Sequence, residues 1–203
     1  MPLPPEQPRR VGVFGGTFDP PHVGHLVTAV NVRHELDLDV VIMMVANIPW
    51  QKDGTRLISP AGDRLAMVEA AVAEVDGLVA GSHEIAAGGP SYTADTLAAL
   101  RASDPHVDLF TIVGADAANG FDTWERSDEV AALSTLVVVD RPGSRTDPPQ
   151  PATGEWIRVE VPHLEVSSTD LRARVVDGRP LDFLVPSAVR QVIVERGLFS
   201  EGR

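Results

Sequence analysis

The chain has 203 residues, 43% of them apolar, which is enough for one sizeable core, and 17 basic against 29 acidic side chains leave a formal charge of −12. That field repels polynucleotides and anionic membrane surfaces, so neither is expected as a partner. Cysteine is absent, which excludes disulfides, thiol nucleophiles and cysteine zinc sites, and the longest apolar run, Val40 to Ala46, is seven residues against the roughly 20 of a membrane span.

From the N-terminus, MPLPPEQPRR places proline where a secretory leader needs an apolar stretch, so a soluble cytoplasmic protein with flexible residues 1–9 is expected. Val11 to Gly15 reads as a first strand. Val23, Leu26, Val27 and Val30 fall at helical spacing behind it, and Val40 to Ala46 is a second strand. The proline-bounded segment carrying Trp50 and Lys52 has neither period and is expected to move between free and bound forms. Ser59 and Pro60 read as N-cap and first position of a helix with an apolar stripe of Leu65, Val68, Ala71 and Val72.

A strand follows at Leu78 to Ile85, then a helix from Thr93 with Asp95 in its first turn, and strands at Leu109 to Val113 and Leu136 to Asp140. Residues 142–154 carry four prolines and two glycines, a composition expected of a mobile surface loop inserted within one domain. Ile157 to Val161 is the last strand. Ser168 or Thr169 is expected to cap a helix that Gly178 and Pro180 stop, and Pro186 and Gly197 bracket the final one. Apolar, β-branched runs alternating with helical periods predict an α/β fold, helices flanking an open parallel sheet in a single domain, 1–203.

The densest chemical signal is GGTFDPPHVGH, Gly15 to His25, where a strand meets a glycine turn and an amphipathic helix. Glycine lets backbone approach a phosphate and the unpaired amides of a helix start point at it, so an anion site is expected there. Neither G-x-G-x-x-G nor a P-loop signature occurs. His22 and His25, three apart, fall on one face of the first turn as predicted from spacing. A cap or packing role and a zinc site are the alternatives, the second weakened by the lack of a third ligand at a recognisable spacing. Near the other end, VSSTDLR, Val166 to Arg172, puts three hydroxyls at a helix start and an arginine one turn in. Capping needs one hydroxyl; the surplus, with a guanidinium able to grip phosphate through two donors, suggests a second wall for the same polyphosphate.

These two motifs resemble the H-x-G-H and S-S-T-x-x-R signatures of the nucleotidyltransferase superfamily of adenylyl- and cytidylyltransferases. Within it, SYTADTL from Ser91, IVGAD from Ile112, Trp124 and the terminal VIVERGLF make the chain similar to the bacterial nicotinate-nucleotide adenylyltransferases. The resemblance implies a Rossmann-like sheet with ATP across its carboxyl edge, and it assigns Gly15, Gly16, Thr17, His22, His25, Asp116, Ser167, Ser168, Thr169 and Arg172 to ATP. It also implies that Lys52 reaches the phosphates, that Asp116 lies near the ribose groups, that the Tyr92–Thr93 backbone meets the pyridine carboxylate, and that Trp124 stacks on the pyridine. The loop reads PWQK where the family usually has proline and histidine before the lysine. His34, His83, His106 and His163 carry no functional expectation, and Arg64 is expected to brace its helix.

The expected reaction is adenylyl transfer from ATP to nicotinate mononucleotide, giving nicotinate adenine dinucleotide and pyrophosphate in NAD biosynthesis. The acceptor phosphate attacks the α-phosphorus in line without a covalent enzyme intermediate, with His22, His25, Lys52 and Arg172 as the catalytic set. Magnesium is expected with ATP, held mainly by substrate oxygens rather than by a protein cage. An acceptor carboxylate suits the amides of a helix starting at Thr93. The alternatives are the nicotinamide mononucleotide or a dual acceptor, a non-catalytic nucleotide sensor, and a metal-dependent phosphohydrolase using His22, His25 and Asp19. A homo-oligomer is permitted but not specified.

Overall fold

The computed structural model describes residues 8–48, 58–140 and 154–200. Six strands, β1 (Arg10–Gly16), β2 (Val40–Val45), β3 (Leu78–Gly81), β4 (Asp108–Gly114), β5 (Thr135–Asp140) and β6 (Trp156–Glu160), form one sheet in the order β3-β2-β1-β4-β5-β6. Every neighbouring pair is parallel. Between them run α1 (Val23–Glu35), α2 (Ala61–Val72), α3 (His83–Ala87), α4 (Thr93–Ser103), α5 (Ala115–Asn119), a 3₁₀ turn at Phe121–Thr123 and α6 (Ser127–Leu133), with α7 (Ser168–Val176) and α8 (Ser187–Glu195) closing the chain. The order reverses between β1 and β4, which opens a crevice at their carboxyl ends, where ligands bind in sheets of this kind.

The inner strands, β2 most plainly, are apolar on both sides because both faces are covered. Val41, Met43 and Val45 join Ala29, Val32, Val68 and Val72 under α1 and α2, whereas Val40 and Met44 join Ala94, Leu97 and Val130 under α4 and α6. A third cluster, Met67, Ala71, Leu171, Val189 and Ile193, seats α7 and α8 against α2. That packing brings the second motif to the first.

Four local expectations need correction. The strand expected over Leu78 to Ile85 stops at Gly81, and His83–Ala87 is helical. A side chain at Gly81 would meet Ile42 at 2.6 Å and Met44 at 2.8 Å, so this edge of the sheet closes tightly and the chain turns away. Pro60, in extended geometry (φ −48°, ψ 143°), is the N-cap of α2, not its first residue. Ser59 stands outside, its carbonyl accepting from Arg64 Nε at 2.9 Å. Ser167 caps α7, accepting from the Asp170 amide at 3.2 Å, in place of Ser168 or Thr169. His22 is not in the first turn of α1 but is its N-cap, extended at φ −145°, ψ 170°. The elements between β4 and β5 had no clear sequence period. Among the described residues no helix is long and apolar enough to cross a membrane.

Candidate active site

Gly15 and Gly16 end β1 at the crevice, and a side chain at Gly15 would meet nothing within 4 Å, so the backbone there faces open space. The chain then turns through Thr17, Phe18 at φ 48° and a cis Asp19–Pro20 bond into α1. Phe18 is buried and meets the His25 ring edge-on at 5.1 Å. His22 and His25 stack with centroids 3.7 Å apart. Gly24 makes the stack possible, since a Cβ there would lie 3.0 Å from His22 Nδ1.

One hydrogen bond and one buried ring nitrogen set how these rings act. The His22 amide donates to His25 Nδ1 at 3.2 Å, so Nδ1 of His25 is the acceptor and Nε2 carries its proton. His22 is 7% exposed, its Nδ1 has no hydrogen-bond partner among the described residues, and burial lowers its pKa to about 4. His22 is therefore a neutral hydrogen-bonding group near pH 7, able to donate or accept but carrying no charge of its own. The α1 amides are divided: Val23 donates to the Leu184 carbonyl at 3.0 Å and His25 to the His22 carbonyl at 2.9 Å, while Gly24's has no acceptor among the described residues.

The second motif docks on the first loop. Ser168 Oγ donates to the Pro20 carbonyl at 2.8 Å, and Arg172 donates to the Asp19 carbonyl at 2.8 Å and to Thr169 Oγ1 at 3.2 Å. The hydroxyls are therefore largely used inside the protein: Ser167 caps, Ser168 fastens the loop, and Thr169 orients Arg172. What this helix start offers an anion is the amides of Ser168 and Thr169, which have no acceptor among the described residues.

Arg64, 1% exposed, braces more than its own helix: it donates to the carbonyls of Ser59, Thr17, Ala46 and Asn47 at 2.6–3.1 Å. It thereby ties the ends of β1 and β2 to the start of α2. No composition signal marks such a residue; an arginine inside an otherwise apolar helical face is the one clue.

Beside this corner lies a cleft of about 240 Å³ whose walls include Gly15, Gly16, Thr17, Thr93, Gly114 and Trp124. Tyr92 is the N-cap of α4, and the Thr93 and Ala94 amides have no acceptor among the described residues. Arg126, missed from the sequence, pairs with Asp95 at 2.6 Å and lies over the Tyr92 ring at 5.8 Å, joining the Trp124 segment to α4. Trp124 packs on Phe121 at 5.5 Å, and its buried Nε1 has no partner among the described residues. Asp116 falls in the first turn of α5, at the carboxyl end of β4. Trp50 and Lys52, and residues 142–153 of the expected loop, lie outside the described residues. Among the described residues no three His, Asp or Glu side chains group as a metal site.

A parallel sheet in this order, with an anion corner and a cleft at its switch point, defines a nucleotide-binding α/β protein. Residues 13–174 match the Cytidylyltransferase-like family. A Streptomyces coelicolor protein named "Probable nicotinate-nucleotide adenylyltransferase" is 45% identical over 187 residues, covering 92% of this chain and 98% of the relative. One of the same name from Saccharopolyspora erythraea is 42% identical over 191 residues, covering 94% and 90%. The fold matches Plasmodium falciparum nicotinic acid mononucleotide adenylyltransferase, solved with NaAD and with APC, at TM-score 0.73 and 12% identity over 94% of this chain and 97% of that one. The chain belongs to the cytidylyltransferase-like nucleotidyltransferases and, within them, to the nicotinate-nucleotide adenylyltransferase family.

Proposed function

We infer that the chain transfers the adenylyl group of ATP to nicotinate mononucleotide, releasing pyrophosphate and forming nicotinate adenine dinucleotide. The observation that carries this reading is the pairing of an anion corner, built by α1 and α7 on one loop, with an adjoining cleft walled by Thr93 and Trp124. ATP phosphates would lie against Gly15, Gly16, Thr17, Gly24 and the α7 amides, with the acceptor ring in the cleft on Trp124. The acceptor phosphate oxygen forms a bond to the α-phosphorus as the bond to the bridging oxygen of pyrophosphate breaks. No protein nucleophile is needed, so catalysis is positioning plus stabilisation of the charge that develops.

His25 Nε2–H and Arg172 would donate to the polyphosphate oxygens as charge grows there, and His22 would do so from a desolvated ring. Lys52 is assigned the remaining cation and Asp116 a ribose hydroxyl, both on the family likeness. The corner offers amides, a guanidinium and ring N–H groups, which suit phosphate oxygens; magnesium would arrive within the ATP complex, its ligands phosphate and water oxygens. An acid acceptor fits because the Thr93 and Ala94 amides begin a helix and can satisfy a carboxylate, whereas a carboxamide turns an NH₂ toward at least one of them. Incubation with ATP, magnesium and a panel of mononucleotides, products read by mass, tests the reading. Pyrophosphate should form only with a pyridine mononucleotide; phosphate or AMP without an acceptor would favour the hydrolase.

A further inference from the structure

Glu84 stands in the wall of the cleft beside Ser91, Thr93 and Trp124, and the reaction as described gives it nothing to do. Its carboxyl accepts from Thr96 Oγ1 at 2.9 Å, and the Ser91 hydroxyl lies close enough on the same wall to favour its ionised form. Ser91 Oγ in turn accepts from the Asn47 amide at 2.7 Å, and the Ser91 amide donates to the Ile48 carbonyl at 3.1 Å. Ser91 and Thr96 bracket Tyr92 and Thr93, so one carboxyl holds the chain on both sides of the first turn of α4. That turn has no side-chain cap of its own, because Tyr92 cannot provide one. Burial raises the Glu84 pKa and the two hydroxyls oppose it, with His83 also lowering it and Asp95 raising it, as expected of a group fixed in place on a cleft wall.

We propose that Glu84 is a positioning residue for the acceptor: through Ser91 and Thr96 it fixes the Thr93 and Ala94 amides that receive the pyridine substituent, and through Ser91 it joins them to the end of β2. This rests on the acceptor reading above. Free amides bind an anion well only when their directions are set beforehand, and an uncapped first turn frays. A carboxylate is suited to the task because it only accepts, so both hydroxyls can donate to it at once. Glutamine of the same shape keeps one good acceptor and turns an NH₂ toward the other hydroxyl.

The test uses the full chain with Glu84→Ala and Glu84→Gln. The alanine variant should raise the KM for nicotinate mononucleotide about tenfold and leave the KM for ATP within about twofold, with the glutamine variant between it and the wild type. Hydrogen exchange without substrate should speed about tenfold at the bonded amides of Asn47, Ser91, Asp95 and Thr96 in the alanine variant, and stay as in the wild type through Val11 to Gly15. The glutamine variant carries both readouts if alanine does not fold. Unchanged exchange at those four amides overturns the proposal, and so does an equal rise in both KM values or an unchanged acceptor KM. A wild type that exchanges as expected yet does not turn over nicotinate mononucleotide would instead overturn the acceptor reading.

Discussion

Arg172 on α7 donates to the backbone carbonyl of Asp19, 2.8 Å away across a separation of 153 residues. The bond joins the two motifs of the site through a main-chain group, so the guanidinium is anchored before any phosphate arrives. Lysine in its place keeps the charge but not the planar fork. Arg172→Lys should lower kcat/KM for ATP at least about tenfold while circular dichroism stays native. A lysine variant with wild-type kcat/KM would mean that charge alone suffices.

His22 has a pKa of about 4 in the fold against 6.5 when exposed. Above pH 6.5 the ring is neutral in both states and adds no pH dependence. As pH falls from 6.5 toward 4 the unfolded chain takes up a proton that the folded chain refuses, so stability is lost over that window, by roughly 2–3 kcal/mol at pH 4.5. His22→Asn should remove that part of the drop. Denaturant midpoints at pH 7 and pH 4.5 for both proteins check it, and equal drops would contradict the burial argument.

His25→Ala should fold, with stability reduced by about 1 kcal/mol because the His22 amide loses its acceptor. Turnover should fall roughly 100- to 1,000-fold, the usual cost of one donor to developing charge. Steady-state kinetics on a variant with a native melting transition measures it. Near-normal turnover would leave His25 as part of the helix start and nothing more.

Arg64→Met keeps the side chain's length and removes its donors, leaving the Thr17, Ala46, Asn47 and Ser59 carbonyls to find others. Several buried acceptors lost together should cost at least about 3 kcal/mol, read from the urea midpoint. A loss under about 1 kcal/mol would show that water replaces the guanidinium.

The strand core was legible because sheet residues buried on both faces leave unbroken β-branched runs, as in Val40 to Val45. β3 was read too long since His83–Ala87 is a single short helix whose apolar residues number too few to show a period. Both motifs of the site stood out as residue types at fixed spacing. Their joining did not, because Ser168 and Arg172 bind the carbonyls of Pro20 and Asp19, and a backbone acceptor leaves no trace in residue identity. Glu84 was hidden for a related reason: placed inside a strand by the sequence reading, it had no visible relation to Ser91 or Thr96.

The most direct measurement is kcat/KM for nicotinate mononucleotide and for nicotinamide mononucleotide at saturating ATP, with pyrophosphate and dinucleotide quantified together. One unpaired donor against the Thr93 and Ala94 amides costs about 1–3 kcal/mol, so the acid should be preferred roughly 5- to 150-fold, with one pyrophosphate per dinucleotide formed. Equal values or a preference for the amide would contradict the role given to the α4 start, and pyrophosphate or AMP released without either acceptor would contradict the transfer itself.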